Sequence, residues 1–403
     1  MIKLEKAKRI VLGLTKRITD YEEVPLTKSL GRVLAVDIVA KVFIPGGDKS
    51  AMDGLAVCSE DLKAADKIHP VELEVIEELT AAKVSRKIVS SGRSVRIMTG
   101  APIPKGADAV LMQEFTKPKN DAKDTMLAFK KVSRGENVIR KGEDIKKGQI
   151  VLTKGTLLRP QEMGVLASLG ITKIKVARKP RVYILATGDE VRNPQARLKD
   201  SNVRDVNSYT LYGLVNQSGA DGIKLGIARD NPKSIIAKLR KAKNADIILI
   251  SAGVSVGKYD FTKEAFLKLG IRPFFWKVAI KPGKPVWFGV WDKKLVFGLP
   301  GYPVSTMVSF LQFVRPCIYK MLAYRKDDYQ IEAILESDIN PDRERLSLIR
   351  VKLRSKNHSF YANPVSSQKS CVLTSMTEAN GIINIPKGSY SVRKGEKVYV
   401  SLI

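Results

Sequence analysis

From Arg181 onward, short apolar runs alternate with helix-like segments, and this rhythm constrains the chain more than any other feature. RVYILATG, GIKLGIA, DIILISAG and KLVFGLPG read as strands. SYTLYGLVNQSG, PKSIIAKLRKAKNA, TKEAFLKLG and VSTMVSFLQFVRPCIYKML read as helices between or after them. Strand, helix and strand in succession imply crossover connections, and so a parallel sheet with helices packed on its faces. In such a sheet, ligands bind beyond the carboxyl ends of the strands, where helix N-termini present free N–H groups.

Those strand ends carry the chemistry. The first ends in ATGDE, with Asp189 and Glu190; the second in GIARDNP, with Asp230; the third in SAGVSVGKYD, with Asp260. Carboxylates gathered on one rim repel one another unless a cation or a proton intervenes. Asp230, before Asn-Pro, is equally well read as a helix cap. Ser251, Gly253 and Ser255 replace bulky side chains at the third strand end and leave room for a ligand. AIKPGKPVWFG then supplies Lys281 and Lys284 on either side of a glycine, each before a proline that biases it towards extended backbone; two restrained ammoniums suit an oxyanion or a phosphate. In FGLPGYPVSTM, Pro300 and Pro303 stiffen a loop that opens a helix, Gly301 permits close approach, and Ser305 lies in the first turn.

The flanks have a different character. KLEKAKRIVLGLTKRI is an amphipathic helix, and from Val24 to about Lys131 short alternating runs broken by Gly, Pro and Asp read as a β-rich domain. After about Ala323, alternation in SLIRVKLRS, HSFYANPV and KVYVSLI suggests a small β-barrel or sandwich. A chain of 403 residues is expected to form two to four cores, at roughly 100 to 200 residues each. In the β-rich part, PGGDKSAMDGLAV carries Ser50 and Asp53, RIMTGAPIPKGADAV carries Thr99, and GED carries Asp144. Taken singly, each reads as a turn.

Composition removes several function classes. Three cysteines and two histidines, scattered along the chain, argue against a zinc site or a disulfide framework, so metal chemistry here calls for oxygen ligands. The formal charge of +29 invites a nucleic-acid reading, but the lysines are spread over every segment with no like-charged block and no RNP-type motif. Such a surface still steers small polyanions. No apolar run is long enough to span a membrane and the N-terminal segment is too charged for a signal peptide, so a cytoplasmic protein is expected.

In chain order, DKSAMDGLAV, RIMTGAPIPKGADAV, KGEDI, ILATGDEV, SAGVSVGKYDFTKE, IKPGKPVWFG and GLPGYPVST resemble the molybdopterin molybdenumtransferases, the MoeA-like family that includes the gephyrin E domain. The resemblance covers nearly the whole chain. It implies a discontinuous first domain (1–24 and 140–179), a β-rich lid (25–139), a molybdopterin-binding-like α/β domain with a parallel-strand core (180–325) and a C-terminal small β-barrel (326–403). It also implies a homodimer with a composite site, and insertion of molybdate or tungstate into adenylylated molybdopterin with Mg2+-dependent release of AMP. By motif position, Asp53, Thr99, Asp144, Glu190, Asp230 and Asp260 match the family's functional acids and hydroxyl, with Glu190 and Asp260 as metal ligands. Lys281, Lys284, Pro300 and Pro303 match its anion-site residues. The chain departs from the family at Lys49 (commonly Asn), Ala252 (a Gly in SGGVS) and Tyr302 (the Asn of GNPVS).

Two other readings compete. A molybdopterin adenylyltransferase shares the α/β domain but lacks the surrounding β-rich domains; that enzyme is instead an expected partner. A gephyrin-like scaffold has no need of carboxylates and lysines together.

Overall fold

The computed structural model describes residues 1–119, 122–253, 261–324 and 329–403. The alternating segment forms a six-stranded sheet in the order Asp221–Ala228, Arg181–Thr187, Ile247–Ser251, Lys294–Leu299, Trp287–Trp291, Arg272–Trp276. The first four strands, those read from the sequence, are mutually parallel. The last two run antiparallel and form one edge. Ile247–Ser251 is buried along its whole length, as a central parallel strand covered on both faces must be, and its unbroken apolar run follows from that.

Helices cover both faces. Val182, Ile184, Leu249 and Phe297 point to one side, where the N-terminal helix Leu4–Leu14 contributes Ala7 and Val11, and the helix from Pro303 contributes Val304 and Val308. Leu185, Ile248, Ile250 and Val296 point to the other, against Ile235, Leu239 and Phe266. The helix beginning at Pro303 runs through a π-helical turn, Phe310–Val314, before resuming at Arg315–Met321. Pro316 follows that turn and has no N–H for the regular ladder, which accounts for a local change of hydrogen-bond spacing.

The β-rich segment forms a second six-stranded sheet in the order Ala109–Met112, Gly54–Val57, Arg93–Ile97, Val71–Leu79, Ala122–Ala128, Thr116–Lys119. Tyr21–Pro25 pairs with Lys173–Ala177, joining the N-terminal segment to residues far along the chain. At the C-terminus, Leu346–Lys356 pairs with both Ser359–Pro364 and Gly381–Ile385, and the ring closes through Gln330–Leu335 and Lys397–Leu402, giving a five-stranded barrel. The short strand Ile280–Lys281 adds in parallel to the edge of this barrel, so the α/β unit and the barrel share a hydrogen-bonded seam. We propose the four-part division into residues 1–24 with 140–179, 25–139, 180–325 and 326–403 for the units these sheets form.

Phe297 is fully buried, with its ring centroid 4.9 Å from that of Phe288. Phe297→Ala is expected to cost about 3–5 kcal/mol through lost burial and the cavity left behind. Chemical denaturation of the two proteins, followed by tryptophan fluorescence, measures it.

Candidate functional site

The parallel register aligns Ala186, Ser251 and Leu299 across three adjacent strands, so the turns that follow leave the sheet side by side. The first turn holds Glu190. A Cβ at Gly188 would sit 2.8 Å from both Glu190 carboxylate oxygens, so glycine is what lets that carboxylate lie against the backbone. On the neighbouring strand, Asp230 and Asp189 exchange bonds: each backbone N–H donates to the other's carboxylate at 3.3 Å. Burial, with the like charges of Glu190 and Asp189, pushes the Asp230 carboxyl above the usual carboxylate range. Asp189, Glu190 and Asp230 therefore share one acidic rim.

The second turn begins with two left-handed residues, Ala252 at φ 71° and Gly253 at φ 70°. A Cβ at Gly253 would lie 2.2 Å from Thr262 Oγ1 and 2.9 Å from Thr187 Oγ1. Thr262 is buried, and among the described residues its hydroxyl oxygen has no hydrogen-bond partner. Ala252 occupies the position where the resembled motif carries glycine, and it accepts a backbone region that disfavours a Cβ. Ser255 and Asp260 lie outside the described residues.

The third turn is pinned from several directions. Thr306 Oγ1 donates to the Pro300 carbonyl, Asn207 Nδ2 donates to the Gly301 carbonyl at 2.8 Å, and the Val304 N–H donates to the Ser370 carbonyl at 3.3 Å. Tyr302 stands at the N-cap of the helix from Pro303, exposed and without a side-chain cap bond, so the capping role an Asn fills there is not taken over.

These turns surround a cavity of about 1130 Å³. Of the residues singled out in the sequence, Glu190, Ser251, Gly253, Lys281, Lys284, Pro300, Gly301, Pro303 and Ser305 line it. The barrel closes the far side with Arg345, Ser370 and Cys371. Lys281 does not stand free: its Nζ is 3.3 Å from Asp342 Oδ2, which also receives Arg345 Nη2 at 2.7 Å. Arg345 first, with two backbone N–H groups and Lys281, holds the Asp342 carboxyl down at about 2. Lys284 is exposed and makes no ion pair among the described residues. Behind the Ser367–Ser370 loop, Arg350 is fully buried. Its Nη2 donates to the Ser367 carbonyl at 2.7 Å, its Nε and Nη1 have no partner among the described residues, and burial pulls its pKa down to about 10.

Ser50, Asp53, Thr99 and Asp144 do not reach this cavity. The β-rich sheet does bring Asp53 and Thr99 together: the Thr99 N–H and hydroxyl donate to Asp53 Oδ1 at 2.6 and 2.7 Å, and these bonds, hydroxyl first, hold the carboxyl below its ordinary range. Ser50 is buried in the adjoining loop, where its hydroxyl turns back onto the Met52 carbonyl. Asp144 is exposed, with its backbone N–H on the Ile44 carbonyl. Among the described residues, no three acidic, histidine or cysteine side chains converge as a ready-made metal cluster.

Several cavity residues went unread in the sequence. Asp205 is buried and accepts the Ser208 N–H at 3.0 Å, a helix-start pattern that was legible in DVNS. Asn207 is 8% exposed, and its Oδ1 has no partner among the described residues. Arg345, Ser370 and Cys371 come from the barrel, and no local pattern links them to the α/β segment.

Three family descriptions match the chain: "MoeA N-terminal region (domain I and II)" over residues 2–170, "Probable molybdopterin binding domain" over 183–320, and "MoeA C-terminal region (domain IV)" over 332–403. A molybdopterin molybdenumtransferase of Bacillus subtilis is 36% identical over 406 residues, covering 100% of this chain and 94% of the relative. One from Staphylococcus epidermidis is 35% identical, covering 94% and 90%. The crystal structure of a molybdopterin biosynthesis moeA protein from Pyrococcus horikoshii superposes with a TM-score of 0.88 at 36% identity, covering all of both chains.

The left-handed pair gives a direct stability test. Gly253→Ala is expected to destabilise by about 1–3 kcal/mol, through the strained φ and the contact with Thr262. Ala252→Gly is expected to stabilise by up to about 1 kcal/mol. Urea denaturation of both variants checks the opposite signs.

Proposed function

The chain belongs to the MoeA family of molybdopterin molybdenumtransferases, enzymes of molybdenum cofactor biosynthesis, and we propose that its cavity between the α/β unit and the barrel is where molybdate or tungstate meets adenylylated molybdopterin. One observation carries this reading: four cations, Arg204, Lys281, Lys284 and Arg345, line the same cavity as the small-residue strand ends. The strand ends offer room and backbone N–H groups for a pterin phosphate. The cations offer charge-assisted bonds to a tetrahedral dianion.

In this reading Lys284 is the principal grip on the oxyanion, because it is exposed and has no counter-ion among the described residues. Arg345 adds donors from the barrel side, held in place by Asp342. Ser305 and Ser370 bring hydroxyls to the same wall. Gly253 and Ser251 admit the pterin to the strand end, and the stiff Pro300–Pro303 loop keeps the opposing wall fixed.

The rim of Asp189, Glu190 and Asp230 is all-oxygen and crowded with like charge, which suits magnesium. That ion keeps several waters and takes one or two carboxylates plus substrate phosphates, so three converging side chains are not required. Glu190, with Asp260, would hold it, and when bound it would neutralise charge developing on the phosphoanhydride as AMP leaves. Glu190 orients that edge, and the narrow turn at Gly188 holds its carboxylate there.

Asp53 and Thr99 form a preorganised acid–hydroxyl pair on a different unit, away from the cavity of their own chain. In a homodimer this pair would complete the partner's cavity. Delivery of adenylylated substrate by the adenylyltransferase belongs to the same reading, because that enzyme forms the phosphoanhydride that this site would cleave.

The decisive assay incubates the protein with adenylylated molybdopterin, magnesium and each oxyanion in turn, and follows AMP release and pterin-bound metal. Glu190→Gln is expected to abolish AMP release while leaving the fold intact; near-wild-type turnover would remove Glu190 from the chemistry.

Lys284→Ala is expected to raise the half-saturating molybdate concentration by roughly 10- to 150-fold, the equivalent of a lost charge-assisted bond of about 1.5–3 kcal/mol. An unchanged value would place the oxyanion elsewhere.

Mixing Asp53→Ala with Glu190→Gln subunits should, after exchange, give half hybrids with one intact site each, hence about a quarter of wild-type activity. Verified exchange without recovered activity would confine the site to one chain.

A further inference from the structure

Lys281 stands in the wall between two cavities. It lines the large one, and with Pro282 it also lines a smaller one of about 160 Å³, where Asp342 sits. Its ammonium is on the Asp342 side, 3.3 Å from Oδ2, longer than the roughly 2.7–2.9 Å of a tight charge-assisted bond. The Lys281 side chain is 56% exposed, whereas that of Asp342 is 13% exposed.

The two partners are not equally dependent on the contact. Asp342 Oδ2 keeps Arg345 Nη2 at 2.7 Å, and Oδ1 accepts the N–H groups of Glu344 and Arg345, each at 3.0 Å. Its own N–H donates to Ser347 Oγ at 2.8 Å. Asp342 therefore stays ionised and in place without Lys281. The Lys281 backbone is likewise fixed, paired with Ser347 across the seam, so only its flexible side chain is free to change partners. A tetrahedral dianion in the large cavity offers this ammonium twice the charge of a carboxylate already compensated by Arg345.

We propose that Asp342 is a positioning residue that holds the Lys281 ammonium against the cavity wall and yields it to an incoming oxyanion, so that this carboxylate limits how tightly the oxyanion binds. The inference rests on the reading of the large cavity as the oxyanion site. It makes Lys281 a mobile second grip and Lys284 a standing one.

The test is calorimetric titration of molybdate into the full-length protein, with tungstate in parallel. Asp342→Asn keeps an Oδ1 acceptor for the two backbone N–H groups and removes the charge. It is expected to tighten molybdate binding by about two- to fivefold, the scale of a partly exposed ion pair. Lys281→Ala in the Asp342→Asn background should erase the gain, and Asp342→Glu should behave as wild type. Unchanged or weaker binding in Asp342→Asn, while wild type binds and Lys284→Ala weakens it, overturns the positioning role and leaves the site reading standing. Wild-type binding indifferent to both Lys281→Ala and Lys284→Ala overturns the site reading itself. Should Asp342→Asn fail to fold, a crystal structure of wild type with tungstate decides: Lys281 Nζ on the oxyanion supports the role, and Lys281 still on Asp342 beside a bound oxyanion refutes it.

Discussion

The candidate site exists because three parallel strands end in register. Ala186, Ser251 and Leu299 are neighbours across the sheet, and the strand that carries Ser251 is buried from end to end. A one-residue slip would turn its side chains to the opposite face, where Leu249 and Ile250 each fill a different core. Packing on both faces thus fixes the register, and the register fixes which turns stand side by side. The strands that lead into the acidic turn at Glu190, the left-handed turn at Ala252 and Gly253, and the proline-stiffened turn at Gly301 are thus positioned by apolar cores on either side of the sheet, and hydrogen bonds from Asn207, Val304 and Thr306 then pin the last of these turns.

The second constraint is electrostatic. The sheet brings acids to one rim, while the seam between Ile280–Lys281 and the barrel brings cations to the opposite wall. The two sets answer different parts of one substrate mixture: the rim a cation bridging phosphate oxygens, the wall a free dianion. The long-range field of a chain with formal charge +29 draws polyanions to the surface without selecting among them, so selection falls to the fixed cations. Asp342 compensates Arg345 and Lys281 at the same time.

Much of this was legible in the sequence, and for a physical reason. Parallel strands covered by helices are written as apolar runs, and ligand-facing turns as Gly, Pro, Ser and Asp at their ends, so the four parallel strands and nine of the cavity residues were named from local pattern. The two aromatic antiparallel strands, Arg272–Trp276 and Trp287–Trp291, carry neither a crossover helix nor clean alternation, and they escaped notice. Arg345, Ser370 and the Asp342 bridge escaped for a different reason. They reach the site through a barrel that begins after the α/β unit has ended, and their placement depends on strand pairing across some 65 residues, Lys281 to Ser347. The assignment of Asp53 and Thr99 to the chemistry rested on resemblance to known motifs. Their mutual hydrogen bonds make them a preorganised pair without placing them at the cavity.

The central claim is that the cavity walled by Lys284, Arg345 and Ser305 receives the oxyanion. Crystals soaked with tungstate and measured at the tungsten absorption edge test it most directly. The account predicts an anomalous peak inside this cavity, within hydrogen-bond reach of Lys284 Nζ. A peak at full occupancy elsewhere on the chain, with this cavity free of tungsten, would contradict it.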